Sequence, residues 1–132
     1  MEINFLAVGL AALAAFFLGY LWYTVIFEKP WMAELGMKMN KATPVAPPNM
    51  AKLLIGSFLL ELIMAFNLAA FIGTNADWKF GLGAGLAAGL GWVGMAFGVN
   101  YLFEGKSLRH WMINAGYNTV VFAVMGLIIG AM

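Results

Sequence analysis

Apolar residues run almost unbroken along four stretches of this chain, residues 3–27, 50–72, 80–103 and 110–132, and polar residues gather in the connections between them. Each run is apolar on all sides rather than at alternate positions. A bilayer core about 30 Å thick is crossed by ~20 helical residues rising 1.5 Å each, so every run is long enough to span it. A membrane strand would instead show ~10-residue alternating segments, and backbone in lipid must satisfy its own hydrogen bonds. The pattern therefore predicts an all-α integral membrane four-helix bundle, a single transmembrane domain over residues 1–132 with α-helices throughout and up-down topology. Pro44, Pro47 and Pro48 cannot continue a helix and leave Asn49 as the expected N-cap of the second span. Asn75 or Asp77 is the expected cap of the third span and Ser107 that of the fourth, while Gly105 supplies a stop after the third. The second and third connections are short, which makes spans two and three, and spans three and four, expected antiparallel neighbours.

Composition sharpens this. Of 132 residues, 64% are hydrophobic and 10% charged, and the mean hydropathy is +0.88, so four spans and their connections use up the chain. A net charge of +1 and the absence of cysteine set aside nucleic-acid binding, a disulfide framework and a thiolate metal site. Glu2 and Asn4 precede the first run where a signal peptide would carry basic residues, so that helix is expected to be retained. Lys29, Lys38, Lys41, Lys52, Lys106 and Arg109 flank the first and third connections, and only Lys79 lies on the opposite side. Under the positive-inside rule, both termini are expected to be non-cytoplasmic. Trp22, Tyr23, Trp31, Tyr101 and Trp111 gather at the same interface as the basic residues, and Trp78 at the other, as an aromatic belt would. The first connection, residues 28–49, has room for structure. Trp31, Met32, Leu35 and Met39 share a helical face there, so it reads either as a short interfacial helix, including a docking surface, or as a plain cytoplasmic loop.

Among residues that carry chemistry, Glu61 is the one ionisable side chain inside a run, about 16 Å along from Met50 and so near the bilayer centre. At that depth a carboxylate costs on the order of 2.5–3.5 kcal/mol on insertion scales, so it needs a partner or a proton. Two roles fit: a protonatable site for ion coupling or cation binding, or a neutral acid hydrogen-bonded between helices. Asn114 and Asn118, spaced i, i+4 with Tyr117 beside them, place two amides and a phenol on one side of span four. With Tyr20, Tyr23, Thr24 and Asn100 they concentrate polarity in one half of the membrane, either as a vestibule towards Glu61 or as interhelical hydrogen bonding.

Span three carries Gly81, Gly85 and Gly89 in consecutive small-xxx-small steps, then Gly94 and Gly98, and Gly126 and Gly130 repeat the spacing in span four. Bare backbone along a stripe lets helices approach, which makes span three the expected central packing helix; the spacing leaves open whether partners lie within or between chains. His110 has no histidine or cysteine companion and reads as an interfacial anchor beside Arg109 and Trp111. The chain holds no metal-ligand set, no nucleophile with a base and no cofactor motif; the glycines of span three lie inside an apolar run, not at a strand-to-helix turn.

The segments Gly19-Tyr20-Leu21-Trp22-Tyr23 with Pro30-Trp31, Val99-Asn100-Tyr101-Leu102-Phe103-Glu104-Gly105-Lys106, and Trp111-Met112-Ile113-Asn114-Ala115-Gly116-Tyr117 resemble a bacterial family of small four-span membrane proteins. It is the domain-of-unknown-function family seventeen sixty-one, and the resemblance runs from the first span to the last. It implies architecture and a bacterial inner-membrane location, and it transfers no catalytic residue. Where it implies a histidine after Tyr117 this chain has Asn118, and Glu61 matches no motif of the family. Three functions follow from the residues. The first is an oligomeric channel or transporter-like protein using Glu61 with Asn118, Asn114, Tyr20, Asn100 and Tyr117. The second is an accessory or assembly subunit of a larger membrane complex, and the third an enzyme acting on a lipid or quinone, for which the residues offer least. The expected partners are the lipid bilayer and either further copies of the chain or a larger complex.

Overall fold

The computed structural model describes residues 3–34 and 50–132 and is helical nearly throughout, with no strand among the described residues. Helix α1 (Phe5–Leu21) starts on Asn4, whose side chain accepts from the Ala7 amide at 3.2 Å. It continues through a π-helical segment, Trp22–Ile26, and a bend leads to the short α2 (Glu28–Glu34). Helix α3 (Met50–Ile72) is the second long helix. The third comprises α4 (Trp78–Leu86), a second π segment (Ala87–Gly94) and α5 (Met95–Glu104); the fourth is α6 (Leu108–Ala131). Four helices are thus long and apolar enough to cross a membrane.

Local chemistry accounts for the boundaries. Asp77, rather than Asn75, caps α4 by accepting from the Phe80 amide at 2.9 Å, and Ser107 caps α6 by accepting from the His110 amide at 3.0 Å. Gly105 closes α5 at φ +71°, a left-handed conformation that a side chain would strain. The expected cap at Asn49, and any continuation of α2 beyond Glu34, lie outside the described residues.

The two π segments depart from the uniform α-helices expected. In the first, the Thr24 hydroxyl donates to the Tyr20 carbonyl one turn back, and the Phe27 amide reaches the Trp22 carbonyl at 2.8 Å. A hydroxyl entering the carbonyl ladder loosens it in this way. In the second, Gly89, Gly91 and Gly94 leave little side-chain packing to hold α geometry, and the Trp111 indole donates to the Gly94 carbonyl at 2.8 Å.

The packing order also departs from the one expected. Span four is the central helix, with 44% of its most apolar window buried inside the protein against 17% for span three. Helix α1 packs on both α3 and α6, and span three packs on the other side of α6. Spans two and three, expected as neighbours, barely touch. The reason lies in which small residues face which helix. Ala7, Ala11, Ala12 and Ala15 are fully buried on α1 and let it settle between α3 and α6, while the glycines of span three spend their bare face on α6 alone.

The two glycine stripes meet each other within the chain. A Cβ on Gly81 would strike the Gly126 carbonyl oxygen, one on Gly85 the Phe122 carbonyl, and one on Gly130 the Asp77 carbonyl. At Gly89 the Asn118 carbonyl would lie 2.7 Å away. Gly94 faces Ala115, and Gly98 lies under the Trp111 indole.

Candidate functional site

Glu61 sits in the middle of α3, only 8% exposed, on the side covered by α1 and α6. The Tyr117 hydroxyl of α6 lies 3.0 Å from Glu61 Oε1 and 3.4 Å from the Ala15 carbonyl of α1, so three helices meet at one phenolic oxygen. The backbone makes room for it: a Cβ on Gly19 would lie 2.9 Å from the Tyr117 hydroxyl. Glu61 Oε2 is buried and has no hydrogen-bond partner among the described residues. An ionised carboxylate with one oxygen bare in this setting would carry a large desolvation penalty, which a proton on that oxygen removes.

A second polar group lies one turn nearer the end that carries the first and third connections. Asn114 accepts from the Tyr23 hydroxyl at 2.6 Å through Oδ1 and donates to the Tyr101 hydroxyl at 2.6 Å through Nδ2, tying spans one and three to α6. Tyr101 is buried, packs against the His110 ring at 5.0 Å with the planes tilted by 60°, and carries the Lys106 ammonium 4.7 Å from its ring centre. Lys106 in turn pairs with the exposed Glu104 at 3.1 Å. Aromatic packing joins the two polar groups: the rings of Tyr23 and Tyr117 are 5.1 Å apart, and Trp22 lies 6.3 Å from Tyr117. Trp22 is fixed by its indole donating to the Ile113 carbonyl at 3.0 Å, with the bare α-carbon of Gly116 beneath its ring.

The residues singled out from sequence fare differently. Glu61, Tyr117 and Asn114 fall within this cluster. Asn118 turns back into its own helix, donating to the Asn114 carbonyl at 2.9 Å. Tyr20, 61% exposed, and Asn100, also exposed, face outward and do not join it. His110, expected as an interfacial anchor, is 4% exposed and packed on Tyr101. Tyr101 and Trp22 were legible only as belt aromatics; the Asn114 amide and the Ile113 carbonyl that they engage give them their places. The Ala15 carbonyl had a signal in the Ala7, Ala11, Ala15 spacing, which marks where α1 comes closest to its neighbours. Among the described residues no cluster of His, Cys, Asp and Glu is suited to a metal ion.

What the arrangement can do chemically is hold and release a proton at Glu61 beside a hydroxyl with two acceptors in reach. With Glu61 ionised, the Tyr117 hydroxyl donates to Oε1; with Glu61 protonated, it can turn to the Ala15 carbonyl. No curated protein and no solved structure matches the chain. The family model for protein of unknown function (DUF1761) matches residues 6–130, nearly the whole chain, and the chain belongs to that family.

Proposed function

We propose that the protein is a transporter-like or channel-like membrane protein in which Glu61 binds and releases a proton, and that it works as an oligomer. The observation that carries this reading is the buried Glu61 Oε2 without a partner, in the middle of a span, beside a tyrosine hydroxyl. A purely structural acid would be expected to have both oxygens engaged, because unsatisfied polar atoms in a low-dielectric interior are costly. The Tyr23–Asn114–Tyr101 group lies between Glu61 and the end rich in Lys and Arg. In the orientation that the charge bias implies, that end is cytoplasmic and the group forms the inner approach to the carboxyl. The oligomeric part of the proposal rests on size, since four helices packed on bare glycine and alanine enclose little space of their own. A bacterial inner-membrane location is part of the same reading.

The test is proton flux into vesicles holding the purified protein, read by an entrapped pH-sensitive dye under an imposed gradient. Wild type is expected to conduct or couple protons, and Glu61→Gln to lose that flux while unfolding as wild type does. Equal flux in both would end the reading. The native mass in mild detergent is measured alongside, and a stoichiometric foreign partner would replace the reading with that of an accessory subunit.

A further inference from the structure

A groove of about 620 Å³ opens along the first two turns of α6, on the side facing the bend after span one. Its walls are almost wholly apolar: Trp22, Phe27, Met112 and Ile113 line it, and Gly116, under the Trp22 ring, marks its inner end. Arg109 is the charged residue that lines it. From Arg109 to Gly116 is seven residues, so the groove runs about 10 Å along the helix from the membrane interface inward.

We propose that this groove binds one anionic phospholipid, with its headgroup phosphate at Arg109 and the upper part of an acyl chain lying along Met112 and Ile113 to Gly116. Three features carry the assignment. The apolar walls suit a chain and would exclude a polar solute. A guanidinium at the interface end matches a phosphate in charge and geometry, and its five donors allow this alongside the interaction Arg109 already makes within the chain. Glu28 and Lys29, which precede the lining residue Pro30 in α2, are both exposed and opposite in charge, so together they add no net charge at the groove's mouth. The occupant would also touch Trp22, whose ring packs on Tyr117, so the lipid lies one side chain away from the hydroxyl that serves Glu61.

Native mass spectrometry of the full chain tests this, after release from vesicles of equal phosphatidylglycerol and phosphatidylcholine. Wild type is expected to retain one phosphatidylglycerol in preference to phosphatidylcholine by about fivefold, the scale of one basic side chain at a membrane surface. Arg109→Gln should remove the preference and Arg109→Lys should keep most of it. Met112→Trp, at a lining position that is already exposed, should lower retention of both lipids by filling the groove. Helicity and thermal unfolding accompany each variant, and Arg109→Gln alters an exposed side chain, so it stays informative should Met112→Trp fold poorly. Equal retention of the two lipids by wild type, an undiminished preference in Arg109→Gln, or wild-type retention in folded Met112→Trp would each overturn the proposal. None of these readouts depends on Glu61.

Discussion

Helix α6 packs against span three in two different ways along its length. From Gly130 back to Phe122 the contact is bare backbone, with Gly81, Gly85, Gly126 and Gly130 bringing main chains together. From Asn114 to His110 the same pair of helices is joined instead through directed bonds from large side chains, Asn114 to Tyr101 and Trp111 to the Gly94 carbonyl. Close backbone contact leaves no volume for anything to move or bind. On the other sides of this end of α6 lie the groove against Trp22 and Phe27 and, beside Tyr117, the unpartnered carboxyl oxygen of Glu61. One half of that seam is a backbone clasp, and the other lies beside the groups to which we assign proton and lipid binding.

The sharpest way to break this comparison is a side chain in the clasp. Gly81→Leu puts its Cβ onto the Gly126 carbonyl, where the opposing atom is backbone and cannot turn aside. The expected loss is about 3 kcal/mol, at the upper end for overpacking, or failure to fold, read by detergent-titrated unfolding in mixed micelles. Gly83→Ala, two residues on and on the opposite face with open space around it, should cost nothing and gain a little helix propensity. Comparable losses from both would mean that the clasp is no tighter than the rest of the span.

A smaller effect is expected in the polar half. Asn114→Ala leaves the hydroxyls of Tyr23 and Tyr101 without their shared partner, and interhelical bonds in bilayers average about 0.6 kcal/mol each, reaching about 1.7. The loss should therefore be about 1–2 kcal/mol by the same titration. Glu61-dependent flux should fall as well, because the inner approach loses the residue that links its two tyrosines. A loss above that of Gly81→Leu would reverse the ranking of the two halves.

The contrast was partly legible in the sequence. Uninterrupted apolar runs fix four helices because lipid offers the backbone no other partner, and Asp77, Ser107 and Gly105 act where caps and stops are written in residue type. The glycine stripes could be read as contact surfaces, but period alone does not say which helix a stripe faces. Span three has the most glycine and was expected at the centre, yet Ala7, Ala11 and Ala15 let α1 close on α6 from the other side and make α6 the centre. In the site, Glu61 was legible because its charge is out of place in a span. Tyr101 and Trp22 were not, since a belt aromatic and a buried hydrogen-bonding aromatic are written alike until the partner across the helices is known. The π segments escaped for a similar reason: they depend on one hydroxyl and one indole meeting particular carbonyls.

The smallest effects are expected from Tyr20 and Asn100, which share the depth of the polar half but face outward. Tyr20→Phe and Asn100→Ala each remove a polar group from the exposed surface of the chain, and should change stability by less than about 0.5 kcal/mol. Their value lies in flux measured beside stability. If the path to Glu61 runs inside one chain, between Tyr23, Asn114 and Tyr117, both variants conduct as wild type does. If instead copies of the chain assemble with these faces together, the two polar groups line a path between protomers, and flux falls while the unfolding of each chain is unchanged. The outward position of Tyr20 and Asn100 thus turns the weakest pair of substitutions into the one that separates an intrachain path from an interfacial one.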